Sequence, residues 1–567
     1  MLIDACTVLT DNYYCGRTIF VYGDKNVSFD DFRKDVTAYA YFFKKEISAS
    51  EVILYLPNNV YLFYVCFMAL LHAGKNVTLP GFLTADGVDD VHAKDKTIVT
   101  DLVLNRDDLL VINPEKCELC SGDELKPIGK KYVSFYTSGT TGAPKKIIKT
   151  FNTLVAEVGN IYFYQKKAVE NNAAVLATVM PFHLYGMLWR FLFPLCTGLV
   201  QDLDTITSPE KIQEKQEKHD YVVLATTPSF MDKVAEYKKQ YVFKNNCMAI
   251  YSSGSFLSEK TSKAMLEIFG VSPFEVFGSS ETGGVAYRQQ KDGKEWNVFP
   301  TVSVEADEET RLVVNSDFTM INPYVMRDSV TMTSPKTFIL KGRLDRMIKI
   351  AEMRVSLPEM EEHMEAYKFV NRAYVLPLEG NNRTILGGVI TLTDQGKDFF
   401  KKNGKKKLVA GLKAFLKSWF EQALIPKKFR IINEMPVNSQ GKIVSDDIAS
   451  LFRSAYTEPL MENIVIKKDS FSALLTFMED AAYFSGHFPG YPILPGVVQL
   501  YFVLYSIQHY LRRPFGAYTV KKLKFNKLIL PMKTIAFALH KKDDNEYDFS
   551  FGSDEVKYSS GTIAVGN

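Results

Sequence analysis

The sequence predicts an α/β protein with a large layered unit over residues 1–341, a small α+β segment over 342–455 and a final α+β stretch over 460–567. Three observations lead to that class. Apolar helical runs alternate with short β-like runs, the pattern of sheets covered by helices. Several apolar runs end in loops rich in glycine and serine, as parallel strands do at the edge where ligands bind. From about residue 297 the texture turns to strand and turn, and the last stretch is β-rich around one apolar helix.

Taken in order, Glu51–Leu56 and Lys96–Thr100 read as strands, and the apolar run Val60–Ala73 as a buried helix. That run, about fourteen residues, is too short to span a bilayer. Lys131–Phe135 and Lys146–Thr150 read as strands flanking a loop. Ala174–Met180, Tyr221–Thr226, Met248–Ser252 and Pro273–Phe277 are further buried strands. Met187–Leu199 reads as helical at least to Pro194. Lys341–Asp345 opens the small segment, which holds the strand Met347–Ile350, the helix Pro358–Ala366 and a basic stretch from Lys397 to Lys428. Residues 453 to 460 read as a linker, and Val497–Leu511 as the helix of the last stretch.

Composition narrows the class. Hydrophobic residues make up 46% and charged residues 23%, ordinary for a globular chain. A net charge of +3 gives no general case for nucleic acid or a membrane surface. Seven cysteines, an odd number, fit reduced thiols in a cytoplasmic compartment. Cys117-Glu-Leu-Cys120 has metal or redox spacing but no second pair nearby, so an incidental loop is the simpler reading. The N-terminus shows no basic segment followed by an apolar core, so no signal peptide is expected.

The loop Tyr136-Thr-Ser-Gly-Thr-Thr-Gly-Ala-Pro-Lys145 carries the chemistry. Its glycines allow close backbone approach to an anion, its hydroxyls donate to phosphate oxygens, and its lysine supplies a point charge. It reads as a phosphate cradle, against the plainer alternative of a polar surface turn. It is not the P-loop, because Pro144 stands where that motif has its second glycine.

Five motifs in order then resemble the AMP-forming acyl/aryl synthetases, the superfamily of acyl-CoA synthetases, adenylation domains and luciferases. They are Thr137–Lys145, Pro181-Phe-His-Leu-Tyr-Gly186, Phe277-Gly-Ser-Ser-Glu281, Gly342-Arg-Leu-Asp345 through Arg354–Glu359, and Pro436–Lys442. The resemblance covers residues 1 to about 450 and implies a large adenylation domain followed by a small α+β subdomain on a hinge. It implies ATP and Mg²⁺ as cofactors and, as acceptor, CoA or the phosphopantetheine of an acyl carrier protein. By resemblance Thr137, Ser138, Gly139, Thr140, Thr141, Gly142 and Lys145 bind nucleotide phosphates, Gly254, Ser255, Phe277, Gly278, Ser279 and Ser280 lie on the adenine side, and Glu281 is the Mg²⁺ ligand. Asp328 and Arg343 match the ribose contacts, Asp345 the hinge, and Lys442 the catalytic lysine that bridges carboxylate and α-phosphate. His183, Tyr185 and Gly186 match the acyl pocket; taken alone, His183 reads as a satisfied core histidine.

Some positions depart from the family pattern. Met326-Arg-Asp328 replaces Thr-Gly-Asp, Lys145-Lys146 replaces Lys-Gly, and Glu352 occupies a position that is usually glycine on the pantetheine tunnel. A bulky acid at 352 weakens free CoA as acceptor and leaves room for a carrier protein. The run Lys401–Lys407, continued by Lys413, Lys417, Lys427 and Lys428, reads equally as a dock for an acidic carrier and as a solvated helix face.

The last stretch carries Gly486-His-Phe-Pro-Gly-Tyr-Pro-Ile-Leu-Pro-Gly496, which resembles the hotdog-fold 3-hydroxyacyl-carrier-protein dehydratases. The resemblance makes His487 the general base. That family carries a carboxylate fourteen residues later, where this chain has Tyr501. A phenol, with a pKa of about 10, is the weaker acid. An unusual active dehydratase, an acyl-binding module and a dimerisation module all remain open, the last implying a homodimer. The fusion of these parts resembles aryl-polyene-type pathways. The leading expectation is an acid–thiol ligase acting on an aromatic or fatty acid, and the rival is a carrier-binding scaffold without turnover.

Overall fold

The computed structural model describes residues 2–80, 97–104, 108–137, 145–236, 238, 240–350, 353–379, 384–438, 443–453, 458–479, 481–484, 491–552 and 556–566. The chain forms two compact units, Met1–Leu344 with Val437–Lys442, and Asp345–Pro436 with Ile443–Asn567.

The first unit is built on a 13-stranded and a 6-stranded sheet among the described residues. The middle of the larger sheet is a parallel run, in the order Phe274–Ser279, Cys247–Ser252, Val222–Thr226, Ala174–Ala177, Gln201–Thr205, Thr18–Tyr22. Val222–Thr226 and Ala174–Ala177 are buried at every position, as expected for parallel strands covered on both faces. The order doubles back at Ala174–Ala177, so loops after several strands gather at one carboxyl edge. Antiparallel strands from Gly283–Arg288 to Val302–Ala306 extend the sheet on one side.

In the smaller sheet five strands run parallel, and Lys145–Thr150 closes the edge antiparallel to Tyr132–Thr137. The expected strand–loop–strand is therefore a hairpin at a sheet edge. Val60–His72 is a helix with Leu62 to Leu71 continuously buried, apolar on all sides as a helix inside a core must be. Asn59 caps it by accepting from Leu62 N at 3.0 Å. Tyr64 stacks on Phe191 with centroids 3.9 Å apart and planes 6° from parallel.

Helical structure around Pro194 starts earlier than the sequence reading and, as read, runs past Pro194. It opens at Leu184, widens to a π-helix over Met187–Leu192 and resumes as Phe193–Thr197. Pro194 lies in the first turn of that last segment, where its missing N–H costs no helical bond. Gly198 ends the segment at φ 69°.

In the second unit, Val370–Glu379, Thr384–Leu392 and Lys428–Ile431 form a three-stranded sheet under the helices Leu357–Glu365 and Asp394–Leu416. The longer helix breaks at Gly404, where φ is 74°. The last part is a six-stranded antiparallel sheet around the helix Gly496–His509, the hotdog arrangement. Phe502, Val503 and Ile507 face its core, whereas Val497 and Tyr501 are 72% and 49% exposed. Among the described residues no helix is long and apolar enough to cross a membrane.

Phe191 is fully buried against Tyr64, Phe67 and the surrounding core. Phe191→Ala should destabilise the first unit by about 3–5 kcal/mol, read as a lower urea midpoint with an unchanged slope.

Candidate functional site

At the carboxyl edge, the hairpin brings Lys145 to Glu281, with Nζ 2.9 Å from Oε1. Burial alone would raise the Glu281 carboxyl, but the bond and charge of Lys145 together with hydrogen bonds from its own backbone and Ser279 outweigh it and hold the group below its usual range. The same bond lifts the Lys145 ammonium. The pair borders a cavity of about 500 Å³ whose lining includes Tyr132, Ser134, Lys146, Ile147, Met320 and Tyr324. Lys145 is 60% exposed, so its bond to Glu281 is open to exchange. An ionised carboxylate already satisfied by an exchangeable cation fits a hard divalent ion, which prefers oxygen donors.

Thr137 ends its strand, and its side chain lies outside the described residues. Ser138, Gly139, Thr140, Thr141 and Gly142 also lie outside them, as do Glu352, Lys442 and His487.

The turn bearing Glu281 is fixed from below. Lys149, wholly buried, donates to Glu281 O at 2.9 Å and to Phe318 O at 2.5 Å. Burial lowers its pKa, opposed by the charges of Glu157 and Glu281. Glu157, also buried, accepts from Gly284 N at 3.0 Å, and its carboxyl is pushed up by burial. Ser279 N donates to Thr282 Oγ1 at 3.0 Å, and Thr282 N to Ser279 Oγ at 3.1 Å. Gly278 is required because a Cβ there would lie 2.0 Å from Gly283 O. Ser280 lies partly exposed at the turn.

Phe277 is partly buried against Trp296 and Phe338, at 5.5 and 5.8 Å between centroids. Beside it, Ser253 Oγ donates to Val276 O at 3.0 Å and carries the loop into Gly254, at φ 95°, and the exposed Ser255. Asp328 and Arg343 face each other in register on neighbouring antiparallel strands, with Nη1 4.0 Å from Oδ2. The structure thus brings together two residues that the sequence placed on the ribose side from separate motifs.

On the acyl side, His183 is the half-buried residue before the short helix Leu184–Gly186, its ring edge-on to Phe182. Tyr185 is half-buried, its phenol pKa is pushed far up by desolvation, and it touches Trp189. Trp189 in turn packs 4.0 Å from Tyr251, whose buried hydroxyl has no hydrogen-bond partner among the described residues. Gly186 packs against the backbone, since a Cβ there would lie 2.0 Å from Met180 O. Arg190, fully buried, secures the same strand end by donating to Val179 O and Leu203 O, each at 2.7 Å.

Asp345, whose side chain lies outside the described residues, falls at the junction of the two compact units. Arg346 follows it and is held by Glu361 at 3.0 and 2.6 Å and by Val375 O at 3.0 Å. In the C-terminal sheet, Tyr501 sits on the half-exposed face of the central helix.

Sequence reading missed Lys149, Glu157, Tyr324 and Thr282. A period-2 signal for Lys149 was present, because it shares the inward face of its strand with Ile147. Glu157 lies on the buried helix face with Leu154, Val158 and Ile161. Lys149→Met would strand a buried carboxylate and two carbonyls. It should cost about 3–5 kcal/mol, measured by urea unfolding of the first unit.

Residues 10–317 match the family model for AMP-binding enzymes, and residues 463–562 match that for the ApeI dehydratase. A 4-coumarate–CoA ligase of Rhodobacter capsulatus is 26% identical over 309 residues, covering 54% of this chain and 73% of its own length. A D-alanine–D-alanyl carrier protein ligase of Bacillus cereus is 24% identical over 502 residues, covering 75% of this chain and 95% of its own length. The fold is similar to that of the ATP-bound RpMatB-BxBclM chimera, with a TM-score of 0.69 at 15% identity over 81% of this chain and 100% of the other. The chain belongs to the AMP-binding enzyme family, as an adenylate-forming acid ligase with an ApeI-like dehydratase domain at its C-terminal end.

Proposed function

We propose that this protein activates an aromatic or fatty carboxylic acid with ATP and passes the acyl group to a phosphopantetheine thiol of a carrier protein or of CoA. The observation that carries the reading is the Lys145–Glu281 pair beside a cavity of about 500 Å³, set on the same unit as the Asp328–Arg343 pair. A carboxylate oxygen of the acid attacks the α-phosphorus of ATP, the bond to the β-phosphate oxygen breaks, and pyrophosphate leaves with the charge. The thiol sulfur then attacks the mixed-anhydride carbonyl, its proton is lost, and AMP departs.

Both steps bring anions together, so the chain's task is placed positive charge. Lys145 and the hydroxyls of residues 137–141 would hold the leaving phosphates, and Lys442 would steady the attacking carboxylate against the α-phosphate. Glu281 would hold Mg²⁺, which neutralises phosphate charge when bound. Phe277 with Gly254 and Ser255 would receive adenine, Asp328 and Arg343 the ribose, and His183, Tyr185 and Gly186 the acid.

Similarity to a carrier-protein ligase along nearly that protein's whole length supports a carrier protein as acceptor, and similarity to a CoA ligase keeps CoA in view. Asp345 would be the hinge, supported by the unit boundary there and by the anchoring of Arg346. On this reading residues 342–455 are the mobile part of the ligase. The seven free thiols fit a cytoplasmic setting.

His487 would act as base in the C-terminal site, where 3-hydroxyacyl thioesters are bound or dehydrated. The observation favouring binding or homodimerisation over turnover is Tyr501, half exposed on the same helix face as Val497. The strand Ala517–Phe525 is also a sheet edge, exposed at nearly every position, which leaves its backbone open to pairing with a second copy.

Acid-dependent pyrophosphate release, screened over benzoate-like, cinnamate-like and fatty acids, tests the ligase. Lys442→Ala should abolish release while leaving the circular dichroism spectrum unchanged; full release by that variant would overturn the assignment. Tyr501→Asp should raise hydration or dehydration of a 3-hydroxyacyl thioester if only the proton donor is lacking. On the favoured binding reading it should produce no gain.

A further inference from the structure

The C-terminal sheet is joined to the smaller segment of the ligase by far more than a linker. Asn433 sits at the junction. Its Oδ1 accepts from Met461 N at 2.7 Å, and its Nδ2 donates to Pro459 O at 2.8 Å and to Glu458 Oε2 at 3.4 Å. The other oxygen of Glu458 accepts from Tyr505 Oη, on the central helix of the last sheet, at 2.6 Å. One amide therefore reaches the entering strand directly and the central helix through Glu458.

Two further ties are independent of that clamp. Lys401 on the basic helix pairs with Glu462 at 2.6 Å, with side chains only 29% and 20% exposed. Leu460 and Met478, each 1% exposed, share one buried cluster with Leu412, Leu416 and Ile431, and Met532 packs against it. At the break in the basic helix, Gly404 leaves room for Glu479, whose Oε1 would lie 2.8 Å from a Cβ there. Domains joined by a small polar interface move by default, whereas a shared apolar core opposes separation because parting it would wet both faces.

We propose that residues 345–436 and 458–567 move as one rigid body, with Asn433 as the positioning residue that fastens them. The C-terminal sheet and helix then travel with the smaller segment of the ligase whenever the chain turns at Asp345. The turn rests on the function proposed above, and the rigidity does not. The consequence is functional. A turn at Asp345 between adenylation and thiol transfer then also relocates the C-terminal sheet and its central helix, so the ligase and the C-terminal domain cannot be presented to a carrier protein independently.

Spin labels test this in the full chain, with Cys15, Cys117 and Cys120 replaced by serine and labelled protein diluted with unlabelled chain. Labels go on the exposed positions Lys406, Asp543 and Lys263, in pairs. The Lys406–Asp543 distance should stay single and narrow without ligands, with ATP and acid, and after addition of a pantetheine thiol. The Lys263–Lys406 and Lys263–Asp543 distances should shift together. Asn433→Ala should broaden the Lys406–Asp543 distribution. Phe537→Ala, which only empties the core of the last sheet, should lower the melting temperature without broadening it. A Lys406–Asp543 distance that shifts with ligand in the unmutated junction overturns the proposal. A constant Lys406–Asp543 distance with equally constant Lys263 distances supports the rigid body and removes the turn at Asp345.

Discussion

The candidate nucleotide edge depends on one buried ammonium, that of Lys149. It joins the carbonyl of Glu281, 132 residues away, to that of Phe318, 169 residues away. An ammonium taken out of water is costly unless its donors are met and a counter-charge is near. The two carbonyls meet the donors, and Glu157 supplies the charge. Glu157 then takes the Gly284 N–H, so the turn from Ser279 to Gly284 is held by Lys149 at the carbonyl of Glu281 and by Glu157 at the N–H of Gly284, both side chains being buried. What remains free to respond is the outer pair, Lys145 with Glu281, which is partly open to water. The two buried side chains fix the backbone, and the exposed pair leaves its carboxylate exchangeable.

How much of this was legible in the sequence depends on how local the signal is. The strand–loop–strand of residues 131–150 could be read because two short strands flank a loop of glycines and hydroxyls, all within about twenty residues; that the two strands pair antiparallel came from the structure. The helix Val60–His72 could be read because every face of it is apolar. The register of Asp328 with Arg343 was reachable only through family motifs, since spacing along a chain does not reveal strand pairing. Lys149 and Glu157 are charged residues on inward faces, and a charged residue is ordinarily taken for a solvated one. Their hydrogen bonds to backbone groups far along the chain decide otherwise, and a single sequence does not display them.

The same reasoning explains the helix through Pro194. A proline at that point reads as a boundary because it removes a helical hydrogen bond and crowds the preceding turn. Here the preceding turn is already widened to a π-helix, and Pro194 falls where a new segment begins. The widened turn also sets Trp189 against Tyr251 and lets Arg190 reach the carbonyls of Val179 and Leu203. An irregularity invisible to periodicity is thus what shapes the wall beside His183 and Tyr185, and π-turns of this kind cluster at functional sites.

The replacement at Tyr501 follows the same logic of what a face must do. The central helix fills the last core with Phe502, Val503 and Ile507, and its outward positions Val497 and Tyr501 stand four residues apart on one side. A carboxylate at 501 would keep that side polar and hydrated. A tyrosine makes it an apolar stripe with one hydroxyl, which gains free energy when anything apolar covers it. An acyl chain and a second copy of the chain would each supply that cover. If position 501 is where a dehydratase of this fold would place its acid, an aromatic ring there gives the face affinity for a covering surface at the expense of a proton donor, and that trade suits a binding role better than dehydration.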